Sequence, residues 1–156
     1  MQVKWQWSRF DELSTRELYD VLKLRQAVFV VEQNCAYQDA DDVDQFAWHL
    51  LGWQEPAPPT RKLVAYLRLV FPGVKYPEPS IGRVLTAASA RRQGLGKQLT
   101  REALIQAASE YAGQSLRISA QQHLADFYKE FCFSIVSEPY DEDGIPHVEM
   151  LRMGDL

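Results

Sequence analysis

The chain has 156 residues, 46% of them hydrophobic and 24% charged, with a net charge of -4. That size suits a single domain over residues 1–156 with a proper core, and the acidic balance argues against a general nucleic-acid binder. Two cysteines, Cys35 and Cys132, are too few for a disulfide framework. No apolar run nears the ~18 residues of a membrane span, and Met1–Trp7 lacks the apolar stretch of a signal peptide. A cytoplasmic protein is therefore expected.

Val3, Trp5 and Trp7 alternate with Lys4 and Gln6, which predicts a first strand. Ser14 and Glu17 have capping-box spacing, and Leu18, Val21, Leu22, Arg25, Val28 and Phe29 recur at helical spacing. These residues predict a helix from about Thr15 to Glu32. Asn34 to Gln45 is polar and acidic and reads as a loop. Phe46–Trp53 and Lys62–Phe71 read as strands, joined by Glu55–Thr60, whose prolines forbid a ladder. A second proline-rich loop, Pro72–Pro79, leads to the strand Ile81–Thr86. A long helix follows from about Leu95 to Tyr111, with Leu95, Leu99, Ala103 and Ala107 on one stripe. Leu116, Ile118 and Ala120 alternate with Arg117 and Ser119 as another strand. His123–Phe131 reads as a short helix, and Ile135–Tyr140 with His147–Arg152 as a final hairpin turning at Asp141–Gly144. The fold class is α/β: a central mixed sheet with helices on both faces, antiparallel except for a right-handed parallel crossover around Gly94.

Between the strand Ile81–Thr86 and the long helix stands Arg91-Arg92-Gln93-Gly94-Leu95-Gly96-Lys97. Two glycines permit a tight turn, and a helix start leaves amide N–H groups without intrahelical partners. With the positive end of the helix dipole behind them, these groups suit a phosphate or pyrophosphate. The P-loop pattern fails, because Gln98 follows Lys97 where Ser or Thr is needed. The dinucleotide fingerprint fails as well, because Leu99 stands in place of its third glycine.

Arg91-Arg92-Gln93-Gly94-Leu95-Gly96 resembles the Arg/Gln-x-x-Gly-x-Gly/Ala signature of the GNAT acyltransferase superfamily, and Gln122–Phe133 resembles its later motif. Val28–Cys35, His49–Trp53, Ile81–Val84 and Asp143–His147 resemble, in order along the chain, the bacterial ElaA-like family of GNAT proteins. One departure stands out. Cys132 occupies the place of a usual glycine, and if the backbone there needs positive φ a cysteine is strained.

The resemblance implies a GNAT-like acyl-CoA N-acyltransferase fold. It also implies transfer of an acetyl group from acetyl-CoA to an amine of a small molecule or peptide, by direct attack in a ternary complex, without a metal. Backbone groups of Arg91, Arg92, Gln93, Gly94, Leu95, Gly96 and Lys97 would hold the diphosphate. Those of Val84, Leu85 and Thr86 would pair with the pantetheine arm as an added strand. A backbone N–H near Val84 would stabilise the oxyanion, an effect often worth ~3 kcal/mol. Tyr128 would protonate the departing thiolate, or serve only as core beside Leu124, Phe127 and Phe131. The strand before the loop carries no carboxylate, so the base is open among Glu32, His49, His123, His147 and ordered water. The acidic segments Asp39–Asp44 and Asp141–Asp143 would either attract a cationic amine or simply be solvated. Arg25, on an inner helix stripe, needs a partner. A non-catalytic coenzyme A-binding sensor and a mononucleotide binder are the competing readings. An edge near the final hairpin could pair two chains into a homodimer.

Overall fold

The computed structural model describes residues 2–57 and 60–154. Eight strands form one sheet: β1 (Lys4–Arg9), β2 (Ala47–Ala57), β3 (Thr60–Val70), β4 (Ser80–Thr86), β5 (Leu116–Gln121), β6 (Ser134–Ile135), β7 (Tyr140–Glu142) and β8 (Ile145–Arg152). Their order is β1-β2-β3-β4-β5-β8-β6, with β7 also paired to β8. Among the described residues, only β4 and β5 run parallel. The sequence Leu63-Val64-Ala65-Tyr66-Leu67-Arg68-Leu69-Val70 is buried throughout. A near-continuous apolar run of this kind belongs to a central strand covered on both faces.

The covers are helical. Val21 of α1 (Thr15–Arg25) and Val28 of the turn that continues it pack on Leu51, Tyr66 and Leu85, which sets this helical segment against one face. Leu95, Leu99, Ala103 and Ala107 of α2 (Leu95–Glu110), together with Tyr128 of α3 (Ala125–Lys129), pack on Leu50, Leu67 and Ile118. Alternate residues of β2 and β3 thus feed the two clusters, as strand geometry requires. No helix among the described residues is long and apolar enough to cross a membrane.

Several boundaries differ from the sequence expectation. The Ser14–Glu17 capping box forms in full, but the helix keeps α geometry only to Arg25. Gln26–Glu32 is wound as a π-helix, with the Gln33 N–H bonded to the Val28 carbonyl and the Cys35 N–H to that of Val30. The expected loop Glu55–Thr60 is largely strand, since pairing continues to Ala57↔Thr60 past an irregularity beyond Gln54. Pro56 sits at that irregularity, where no ladder N–H is needed; Pro58 and Pro59 lie outside the described residues. The first arm of the final hairpin is split. β6 pairs β8 at Ser134↔Leu151 and β7 pairs it at Tyr140↔His147. Pro139, which has no N–H to give, lies in the gap, and the Ser137 hydroxyl takes the Glu149 N–H there. The turn falls on Asp143-Gly144, both with positive φ, as a tight hairpin demands.

Candidate active site

The parallel pairing of β4 and β5 is short. Ser80↔Arg117 and Ile81↔Ile118 are matched, and beyond Ile81 the strands part. The cause lies in β4. Tyr66 is opposite Leu85, but Arg68 is opposite Gly82, so β4 carries an extra residue at Arg83–Val84. Arg83 takes φ +52, a left-handed conformation costly for a residue with a Cβ. Its guanidinium is anchored, Nε donating to Asp39 Oδ1 at 2.8 Å and Nη2 to the Asp39 carbonyl at 3.1 Å. Gly82 carried the available sequence signal, because an isolated glycine in a strand suggests a bulge.

The gap opens into a cavity of about 340 Å³ walled by Val84 and Tyr128 among others, with Phe29 and Gln33 contributed by the π-helical segment and its end. Tyr128 is 7% exposed, and its ring packs edge-on against Phe127 and Phe133. Its hydroxyl makes no hydrogen bond among the described residues, and burial pushes its pKa up to about 12. The phenol therefore stays protonated through the neutral range.

Just past β4 the chain turns into α2. Arg92 and Gly94 have φ +66 and +74, and Gly94 caps α2 without a side-chain bond. Among the described residues, no acceptor is found for any backbone N–H from Arg92 to Lys97; the first in the series to find one is Gln98, which bonds the Gly94 carbonyl. Arg91 is already engaged. Its guanidinium grips Glu32 through two bonds of 2.8 Å and reaches the Thr86 carbonyl at 3.1 and 3.2 Å. Thr86 thus comes with its carbonyl occupied. The Arg91 bonds, ahead of a small opposing effect of burial, hold the Glu32 carboxyl below its ordinary range.

Of the base candidates, Glu32, His49 and His123 do not line the cavity. Glu32 sits on the outside against Arg91. His49 is fully buried. Its Nε2 lies 2.8 Å from the Asp44 carbonyl and its Nδ1 2.6 Å from the Tyr66 hydroxyl. A carbonyl can only accept, so Nε2 carries the proton and Nδ1 takes the phenol's. Burial holds this imidazole below its ordinary pKa, and a sealed ring with both nitrogens committed has no access to an acceptor amine. His147 does line the cavity. Its Nδ1 donates to the Ile145 carbonyl at 2.7 Å and its Nε2 lies 3.1 Å from Glu142.

The acidic loop is structural. Arg25 donates to Asp39 at 2.8 Å and Asp44 at 2.7 Å, and Arg68 to Asp41 at 2.6 Å and Asp44 at 2.8 Å. Arg83 joins through Asp39 and Asp41. Three arginines and three aspartates cancel. Burial alone would raise the Asp41 carboxyl, but the bonds and charge of Arg68, then the charge of Arg83, hold it well below the usual range. Asp39 and Asp41 therefore hold the bulge of β4 through Arg83, and Asp44 ties Arg25 to Arg68. Arg25 finds the carboxylate partners its burial requires. Lys75, from a stretch that gave no sequence signal, also lines the cavity. No cluster of His, Cys, Asp or Glu that could hold a metal occurs among the described residues.

A sheet opened beside a helix start rich in free amides is the framework of acyl-CoA-dependent acyltransferases. An acyl-CoA N-acyltransferase from Pseudomonas aeruginosa has this structure at TM-score 0.90 and 40% identity, with 97% of this chain and 99% of that one covered. An acetyltransferase (GNAT) domain profile matches residues 63–152. Escherichia coli ElaA is 40% identical over 152 residues, 96% of each chain, and its crystal structure aligns at TM-score 0.88. The chain belongs to the GNAT acetyltransferase family and is an acyltransferase. The fold extends to an aminoglycoside 6'-N-acetyltransferase complexed with coenzyme A, at 14% identity and TM-score 0.66 over 95% of this chain and 96% of that one.

Proposed function

We propose that the protein transfers an acetyl group from acetyl-CoA to an amine by direct attack within a ternary complex. The observation that carries this reading is the run of N–H groups from Arg92 to Lys97 without acceptors, backed by the dipole of a 16-residue helix. Such donors suit a diphosphate. The coenzyme A bound to the aminoglycoside acetyltransferase of the same fold is consistent with it.

In this reading Arg91, Arg92, Gln93, Gly94, Leu95, Gly96 and Lys97 hold the diphosphate, and β4 from Val84 to Thr86 offers backbone groups to the pantetheine arm. A backbone N–H beside Val84 meets the carbonyl oxygen as it gains charge. The amine nitrogen bonds to the acyl carbon, the carbon–sulfur bond breaks, and the sulfur takes the proton of the Tyr128 hydroxyl. The amine gives its own proton to the Glu142–His147 pair, where it is shared between Nε2 and the carboxylate. Glu32 serves instead to orient Arg91, and His49 to support the buried ion cluster. Residues 1–156 act as one such domain, in the cytoplasm. The outer edge of β6, where Ile135 is exposed, offers a place for two copies to pair.

Calorimetry with acetyl-CoA, coenzyme A and ATP tests the first half: the two thioester-carrier ligands bind and ATP does not. Thiol release in the presence of an amine panel tests the second. Protein that ignores acetyl-CoA at millimolar concentration ends this reading.

A further inference from the structure

The charges around the cavity are unequally distributed. Arg25, Arg68 and Arg83 are balanced by Asp39, Asp41 and Asp44, so this cluster presents no net charge. Lys75 stands beside it at the cavity wall, exposed to solvent and within the fields of Asp41 and Glu142, and makes no salt bridge among the described residues. Arg68, which also lines the cavity, is 1% exposed and keeps its Nε without an acceptor among the described residues. The wall formed by Lys75 therefore carries an excess positive charge. Opposite in sign, the β7–β8 turn brings Glu142 and Asp143 to the same cavity, with His147 Nε2 3.1 Å from Glu142.

A cavity with one cationic and one anionic pole matches a ligand bearing both charges. A plain diamine or polyamine would place a second ammonium against Lys75 and find the nearby aspartates already taken. A neutral amine would leave Lys75 without a partner. Resting on the acyl-transfer reading above, we propose that the acceptor is an amine that also carries a carboxylate, of amino-acid type, with Lys75 holding the carboxylate and the Glu142–His147 pair facing the amine. Partial burial of the Lys75 ammonium, then the charges of Arg68 and Arg83, hold its pKa below the ordinary lysine range against the opposing charges of Asp41 and Glu142. An anion arriving at Lys75 relieves that like-charge crowding.

The test uses the full chain, acetyl-CoA and matched acceptors: L-amino acids, β-alanine, γ-aminobutyrate and ε-aminohexanoate, each beside its carboxamide. At least one carboxylate-bearing amine should exceed its carboxamide by about tenfold in kcat/KM, which is about 1.4 kcal/mol. In Lys75→Met that preference should fall to within about twofold, through KM, while acetyl-CoA affinity is unchanged. Better turnover of carboxamides or diamines by the native protein overturns the proposal. So does an equal loss on both members of each pair in Lys75→Met, or a loss of acetyl-CoA affinity in that variant. Complete failure of thiol release with every amine would instead count against acyl transfer. In that event, calorimetric titration of the coenzyme A-loaded protein with the N-acetyl amino acids and their amides still decides the matter. Tighter binding of the acids that vanishes in Lys75→Met supports the carboxylate site, and equal binding rejects it.

Discussion

Cys132 stands at φ +69, where the related motif carries glycine, and its side chain is exposed. A left-handed residue with a Cβ costs about 1–2 kcal/mol, part of which glycine's larger unfolded-state entropy offsets. Cys132→Gly should therefore raise stability by about 1 kcal/mol, read as a higher urea midpoint with an unchanged slope. Under the proposed mechanism Tyr128 answers to chemistry instead. Tyr128→Phe should lower kcat by about 10²-fold or more while the acetyl-CoA dissociation constant stays within about twofold. Because burial pushes its pKa up to about 12, the native enzyme should show no fall in rate from loss of this proton below about pH 11. A Phe variant with native turnover would remove Tyr128 from the reaction.

At the level of elements, the buried ion cluster ties the end of α1 to β3, to the bulge of β4 and to the loop Asp39–Asp44. The Asp41 carboxyl lies below its unfolded value, so it stabilises the fold fully above about pH 4 and loses that contribution as the pH falls through its folded value. Asp41→Asn should cost about 3 kcal/mol at pH 7, since guanidinium donors lose a charged partner in a largely buried site. The gap between variant and native protein in urea titrations should narrow as the pH drops below about 4. A constant gap would mean that Asp41 contributes shape rather than charge. The sequence disclosed some of these elements and hid others, for physical reasons. The capping box at Ser14, the apolar stripe of α2 and the Asp143-Gly144 turn are local, and each was legible. The π-helical winding of Gln26–Glu32 was not, because seven residues are too few to separate its period from that of an α-helix. The burial of Asp39 and Asp44 depends on arginines far along the chain, which a composition of loop acids does not reveal. Lys75 and Glu142 are brought to one cavity only by tertiary contact, whereas the glycine loop announced itself through local backbone chemistry.

Seen whole, the sheet divides into β1–β4 and β5–β8, and among the described residues the two parts share only Ser80↔Arg117 and Ile81↔Ile118 as strand pairs. The remaining links include α2, which lies across β3 and β4 and joins in a core that reaches Ile118 and Met150. This construction amounts to a seam with a short stitch at one end. Local opening free energies follow the contacts that must be undone, so unzipping along that line should require less than exposing β3. Native-state hydrogen exchange should find the amides of Ile81 and Arg117 exchanging well before those of Tyr66 and Leu67, at denaturant concentrations too low for global unfolding. A long, flexible ligand lying in the slot beyond Ile81 would touch both parts of the sheet at once, so its departure would free the seam without breaking a strand pair.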